Sequence, residues 1–485
     1  MLKSLAKDTM TYGVGSLLIK AIAFAVFPIY THFFSVEQFG VMELVITLAG
    51  FVGIFLNLGM NNAVQRFYWD PSTKESERPN IVSTGLWILV SWAVFLTILI
   101  LSFLYIFNND IYSKYNISWE FLLLGLIVNV PSQILQYVSD TLRLHFLPWK
   151  FTTIQLIKNM AGVILGFYFI LVMKQGLMGY FLGNIIALSI AIPYGLFTIK
   201  KDITLSIDKS KAKELVSFGY PFIFAGMAYW VFGSMDRWML GTLSDNVQVG
   251  LYSIAFKFSF FLTFVNSSFS QAWSPFAIKI YKERKDYKEI YSKVLNYLFF
   301  GLIFLGAGLS LFAYEILRVL TPDSYWPAAN IIGFLSAGIV FYGTTQVTAI
   351  GISLKKRTSL LSFAAWATAI LNLVLNYFLI GWWQALGAAV ATLISYFFLS
   401  IFYLYWAQKL DPIPLDKLKL SLLSTLLVIV LILSFYLNSL DWSINLLPAK
   451  LVILLSILLI GYKSKLLPII SIINILNFKS LLKKT

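Results

Sequence analysis

Lys20, Lys158 and Lys257 each stand inside a long apolar run, where the hydrocarbon of a membrane is expected. Lysine and arginine recognise phosphate by charge and hydrogen bonding, so cations at such depth suit an anionic cargo. Lys20 lies roughly 16 Å into its run at 1.5 Å per residue, and Lys257 reaches a similar depth from the other side. Lys158 is shallower, roughly 12 Å from the inner edge. A lysine at the centre of a lipid-exposed helix costs on the order of 3 kcal/mol. Helical spacing places Gly13 and Ser16 on the face of Lys20, Gln155 and Gly162 with Lys158, and Ser253 with Lys257. These small, polar stripes suit a wet internal wall. In the alternative reading each lysine snorkels, or pairs with a buried acid such as Glu43, Asp140, Asp236 or Glu315. Arg66 and Asp70 are four apart, and Asp140 and Arg143 three apart, so each pair can neutralise itself at a helix end. Asp236 and Arg237 are adjacent, do not share a helix face, and are each expected to find another partner. Glu43 and Asp236 are the candidate acids for coupling to H+ or Na+.

Such residues need helices around them, and composition supplies the solvent. The chain has 485 residues, of which 59% are hydrophobic and 12% charged. Soluble domains carry about 25% charged residues, so lipid must cover much of this surface. Continuous apolar runs of about 20 residues fit spanning helices and are too long for barrel strands. About fourteen follow: 10–34, 39–62, 82–107, 119–142, 151–173, 176–199, 214–241, 247–277, 294–316, 327–353, 358–380, 384–407, 418–438 and 446–462. The fold class expected is all-α and polytopic. The tail 463–485, apolar and then basic at Lys479, Lys483 and Lys484, suits the inner surface. Prolines inside spans (Pro28, Pro131, Pro193, Pro221 and Pro275) are expected to bend them, either as ordinary kinks or as hinges.

With the N-terminus inside, the segments facing the cytoplasm hold 29 of the 37 Lys and Arg, and those facing out hold four, Lys114, Lys174, Arg318 and Lys450. That asymmetry sets orientation and accounts for the +15 charge without nucleic acid. Both termini are then cytoplasmic, and MLKSLAKDTM is not a removable signal. The chain also repeats itself. Phe34–Met42, FSVEQFGVM, returns as Leu243–Leu251, LSDNVQVGL, and Gly176-Leu-Met-Gly179 returns as Gln384-Ala-Leu-Gly387. Offsets near 210 span six helices, so the expected halves share one orientation. They are a six-helix lobe at 1–199, a basic linker at 200–213 and a second lobe at 214–408. Two extra helices and a tail fill 409–485.

Enzyme chemistry finds no footing. There is no Walker A run, no HExxH and no GxSxG, and Gly13-Val-Gly15 is too short for a dinucleotide fingerprint. Cysteine is absent, and two histidines are too few for a histidine-rich metal site, so neither metal nor cofactor is expected. Asn116-Ile-Ser118 and Asn266-Ser-Ser268 match the glycosylation triplet, a pattern that also arises by chance.

The opening LAKDTMTYGVGSLLIKAIAFAVFPIYTHFFSVEQFGVMELV resembles that of the polysaccharide transporters that include O-antigen flippases of the Wzx type. So do NLGMNNAVQRFYWD at 57–70, MDRWMLGTLSDNVQVGLYSIAFK at 235–257 and QALGAAVATLISY at 384–396. That family shares a superfamily with multidrug and toxin extruders and the lipid II flippase. The resemblance implies two six-helix lobes around a cationic cavity. It also implies transfer of undecaprenyl-diphosphate-linked oligosaccharide across a bacterial cytoplasmic membrane by alternating access. Basic residues of the first, second, seventh and eighth helices line the cavity in such flippases, and Lys20, Arg66, Arg237 and Lys257 lie in those helices here. Partners implied are the lipid-linked oligosaccharide, membrane lipids and the polysaccharide polymerase machinery. The rivals are a lipid II-type flippase, a drug extruder, whose cavity should be acidic, a membrane enzyme acting on the same lipids, and a scaffold without transport.

Overall fold

The computed structural model describes residues 19, 21–22, 24–204, 207–440 and 443–466. Lys20, most of the first expected span and the tail beyond 466 lie outside the described residues, and the described end of that span, 24–31, is helical. Every other long element described is also a helix. In chain order these are α1 (Val36–Asn57), α2 (Met60–Tyr68), α3 (Arg78–Ile106), α4 (Asn108–Tyr115), α5 (Trp119–Ile127), α6 (Asn129–Leu144), α7 (Pro148–Phe167) and α8 (Gly176–Thr198). There follow α9 (Lys209–Gly219), α10 (Pro221–Leu243), α11 (Asn246–Glu283), α12 (Tyr287–Leu311), α13 (Ala313–Leu320), α14 (Ala328–Leu354), α15 (Thr358–Leu410), α16 (Lys417–Ser439) and α17 (Leu446–Lys463).

Among the described residues, twelve helical stretches are long and apolar enough to cross a membrane. One of them, α15, is broken at Gln384, whose φ of 51° and ψ of −128° are not helical. Twelve stretches with one broken in two make thirteen, and they fall on the thirteen spans expected after the first.

Four expected spans are interrupted: the ninth near its end, at Phe312 between α12 and α13, and three others well inside their length. The second breaks between α1 and α2, where Leu58 and Gly59 both take positive φ, 51° and 68°. The fourth divides into α5 and α6. Pro131, in the first turn of α6, has no N–H for the Ile127 carbonyl one turn back. The seventh divides at Tyr220, and Pro221, still inside the apolar stretch Lys209–Leu243, opens α10. The breaks in the second and seventh spans meet. A Cβ on Gly59 would overlap the Gly219 carbonyl, and one on Gly219 would stand 2.5 Å from the Leu58 carbonyl. Only glycine permits this approach with the backbone of Gly59 left-handed.

The chain divides into two compact units, residues 1–253 with 320–324, and residues 254–319 with 325–485. In the first, the two copies of the repeated turn pack on each other. A Cβ on Gly40 would overlap the Asn246 carbonyl, and one on Gly250 would overlap the Val36 carbonyl. With an offset of 210, Val36 corresponds to Asn246 and Gly40 to Gly250, so the contact is reciprocal. Even the caps correspond. Ser35 Oγ accepts from the Gln38 N–H at 3.2 Å, and Asp245 Oδ1 accepts from the Gln248 N–H at 2.8 Å. Asn116 closes the turn above by donating to Glu37 at 2.9 Å, which gives that glycosylation-like triplet a structural role.

Two buried charges organise the second unit. Lys450, 1% exposed, donates to both Glu315 oxygens at 2.8 and 2.9 Å and to Asn438 Oδ1 at 3.1 Å. Asn438 in turn donates to the Ser310 carbonyl at 2.9 Å, so α12, α13, α16 and α17 are joined at one point. Asp411, just past α15, is buried and accepts from Tyr287 Oη at 2.9 Å and Lys288 Nζ at 3.1 Å, with Lys355 Nζ at 3.8 Å. Asp411→Ala should strip that anchor from α12, α14 and α15. A loss of about 2 kcal/mol is expected for charge-assisted hydrogen bonds. It would appear as a fall of roughly 4–8 °C in the thermal midpoint of the purified protein.

Candidate functional site

The helix breaks create the site. Asn57 ends α1, and Asn61 and Asn62 sit in the first turn of α2, so the kink at Leu58–Gly59 turns three amides toward α6. On α6, Gln133, Gln136, Asp140 and Arg143 follow at steps of three, four and three, which puts them on one helix face. The faces join. Asn57 Nδ2 donates to Gln133 Oε1 at 2.9 Å, and Asn61 Nδ2 donates to Asp140 Oδ2 at 2.7 Å. Gln136 donates to the same Asp140 oxygen at 3.1 Å, and Arg143 pairs with Oδ1 at 3.1 Å.

Two cavities of about 420 Å³ share Asn61, Asn62 and Asp140 in their walls. One runs from there past Gln133 to Gly50, Gly53, Phe222 and Gly226. The other runs past Gln65, Gln136 and Arg143 to Trp69 and Phe146. Each is within the range of roughly 300–1,000 Å³ that small ligands occupy. Glycine makes the room, for a Cβ on Gly53 would crowd Gln133 Nε2 at 3.0 Å. Asn61 Oδ1 is buried with no hydrogen-bond partner.

The residues singled out in the sequence are placed as follows. Arg66 pairs with Asp70 at 3.0 Å, as the spacing predicts, and its side chain is half exposed. Beyond the helix end, hydrogen bonds from Ser72, and then Arg66, hold the Asp70 carboxyl below its ordinary range. Lys158 is half-buried on α7, with Asn159 Oδ1 at 3.5 Å. Glu43 is buried on α1. Lys257 is half-buried on the part of α11 that belongs to the second unit, and Lys20 lies outside the described residues.

Asp236 and Arg237 overturn one expectation. Although adjacent, they pair, Arg237 Nη1 lying 3.2 Å from Asp236 Oδ1. The guanidinium folds back one turn to donate to the Gly233 carbonyl at 2.8 Å, and there is open space where a side chain at Gly233 would stand. That path carries it past Asp236, whose other oxygen accepts from Tyr252 Oη. Arg66, Lys158, Arg237, Glu43 and Asp236 line neither of the two cavities. The amides that do were not anticipated, yet their signal is present: Asn57 and Asn61 four apart across a glycine, facing a polar stripe inside an apolar span.

The sequence model of a family described as polysaccharide biosynthesis protein matches residues 5–281, more than half of the chain. The chain belongs to this family. A second model, MatE, matches residues 221–378. Among solved structures, the lipid II flippase MurJ in an inward closed conformation is similar at a TM-score of 0.74 and 16% identity, over 94% of this chain and 98% of that one. An inward-facing multidrug resistance MATE transporter of the MOP superfamily is similar at 0.65 and 12% identity, over 84% and 95%. A MOP superfamily transporter from Pyrococcus furiosus is similar at 0.56 and 14%, over 84% and 94%. These likenesses establish that the polysaccharide biosynthesis chain has the fold of that superfamily. No curated protein matches it.

Proposed function

We propose that this chain is a flippase and not an enzyme. Its cargo is an undecaprenyl-diphosphate-linked oligosaccharide, the repeat unit of O-antigen or another surface polysaccharide. It moves that cargo from the inner to the outer leaflet of the bacterial cytoplasmic membrane. The observation that carries this reading is the amide-lined cavity opened by helix breaks inside a membrane bundle of the polysaccharide biosynthesis family. A glycan cannot cross roughly 30 Å of hydrocarbon unless hydrogen-bonding groups replace its water. The diphosphate needs cations. Lys20 and Lys257 are the leading candidates, with Arg66, Lys158 and Arg237 behind them. A drug extruder with cationic cargo would call for an acidic cavity, whereas Asp140 is matched by Arg143 at 3.1 Å.

In this reading the lobes 1–199 and 214–408 alternate about the cargo, joined by 200–213 and accompanied by the helices of 409–485. Both termini face the cytoplasm. Membrane lipids and the polysaccharide polymerase machinery are the partners. H+ or Na+ is the candidate coupling ion, with Glu43 and Asp236 as its candidate acids.

The test is flipping in vesicles. The protein is reconstituted with fluorescent undecaprenyl-diphosphate oligosaccharide, and transfer of label between leaflets is timed. Wild type should flip, and Lys20→Ala and Lys257→Ala should each slow it about tenfold or more, the effect of losing a charge-assisted contact to phosphate. Normal rates in both variants would remove those lysines from the site and leave the flippase. No flipping by wild type would remove the flippase.

A further inference from the structure

The two cavities, which share Asn61, Asn62 and Asp140 in their walls, differ in kind from a phosphate site. Among the described lining residues only Asp140 and Arg143 ionise, and they pair at 3.1 Å. A diphosphate entering here would lose its water and meet no surplus positive charge. The remaining polar wall is dominated by six amides, Asn57, Asn61, Asn62, Gln65, Gln133 and Gln136, since the hydroxyls of Tyr137 and Thr141 donate to backbone carbonyls. An amide both donates and accepts, as does a hydroxyl, so such a wall matches a neutral polyol or an acetamido group without desolvating a charge.

Several details sharpen the match. Asp140 takes the amide hydrogens of Asn61, which turns the Asn61 oxygen away from its partner and leaves it buried without a donor. A buried acceptor of this kind carries an unrecovered desolvation cost until a ligand supplies a hydrogen. At the mouth of the second cavity the Trp69 and Phe146 rings lie 6.0 Å apart, and both side chains remain about half exposed, at 47% and 59%. The Arg78 guanidinium lies over one face of Trp69, 4.9 Å from its centre, so Phe146 and the other face of Trp69 offer stacking area to the C–H face of a sugar ring.

We propose that these cavities are a sugar-binding subsite. It takes one or two neutral or N-acetylated sugar residues of the glycan, separate from whatever holds the diphosphate. The proposal rests on the flippase reading and assigns a role within it: Asn61, Asn62 and Gln133 select the glycan, while cations elsewhere hold the lipid diphosphate.

The experiment compares two probes on the full chain in nanodiscs, bare undecaprenyl diphosphate and the same lipid bearing a tetrasaccharide that contains N-acetylhexosamine. Wild type should bind the glycosylated probe more tightly. Asn61→Ala and Gln133→Ala should each weaken that probe roughly three- to tenfold, the range for one or two lost hydrogen bonds, and change the bare probe less than twofold. Because those changes break part-buried hydrogen bonds between helices, Asn62→Trp provides a second variant. Asn62 is exposed, so the indole can fill the space without disturbing the core, and it should abolish the advantage of the glycan. Equal weakening of both probes would overturn the separation of sugar from phosphate. A glycan advantage that survives all three variants, or is absent in wild type, would overturn the subsite while bare-lipid binding left the flippase reading standing. If wild type binds neither probe, both fall.

Discussion

Lys450→Met should cost the second unit about 3–5 kcal/mol, the range for leaving one half of a buried ion pair without its partner. The lysine is 1% exposed and its nitrogen reaches both Glu315 oxygens and Asn438, so its loss leaves a carboxylate that is only 15% exposed without its cation. In a unit of some two hundred residues that loss corresponds to a fall of roughly 6–20 °C in thermal midpoint. Glu315→Leu alone should be similarly harmful. The double variant should recover most of the loss, because a matched apolar pair removes the desolvation of both charges. Thermal midpoints of the two singles and the double close the cycle. Additive losses would show that the pair does not act as a unit. The effect belongs to the anchoring of α16 and α17, since Asn438 and Lys450 are the residues those helices contribute.

That pair shows where the sequence stops being legible. Glu315 is recognisable as an acid near apolar runs, and Lys450 as one of four outward-facing cations. They are 135 residues apart, however, and nothing in composition or spacing joins them. Local pairs fare better. Arg66–Asp70 and Asp140–Arg143 form as their spacing requires, because helical geometry alone brings them together. The same rule fails for Asp236 and Arg237. A long, flexible side chain can run back along the helix to the carbonyl one turn earlier, as Arg237 does to Gly233, and so pass its own neighbour. Span positions were readable because twenty apolar residues have one economical conformation in lipid. The interruptions were not. Leu58–Gly59 and Ile127–Asn129 sit inside apolar runs whose hydropathy is unchanged by a kink. Yet those interruptions turn Asn57, Asn61 and Gln133 into one wall. The candidate site therefore depends on the part of the helices that hydropathy does not encode.

Gly40→Ala and Gly250→Ala should each slow flipping at least tenfold and lower the thermal midpoint, while Gly308→Ala should do neither. The contrast comes from what a methyl group would meet. At Gly40 it would overlap the Asn246 carbonyl, and at Gly250 the Val36 carbonyl, and backbone atoms of capped helix starts cannot turn aside as a side chain can. At Gly308, inside α12, it would meet nothing within 4 Å. There the change should be neutral, or stabilise by roughly 0.5–1 kcal/mol through the better helix propensity of alanine. Because the contact is reciprocal, the two harmful changes act on one surface from opposite sides. The double variant should therefore be little worse than either single, as expected for residues that share a contact. Flipping rates that fall by the product of the single effects would mean that the two turns work independently. Normal flipping in both singles would mean that the turns need not approach during transport. If the pattern holds, the repeat has a physical use: one turn, written twice, makes a self-complementary contact through which the two copies of the motif meet.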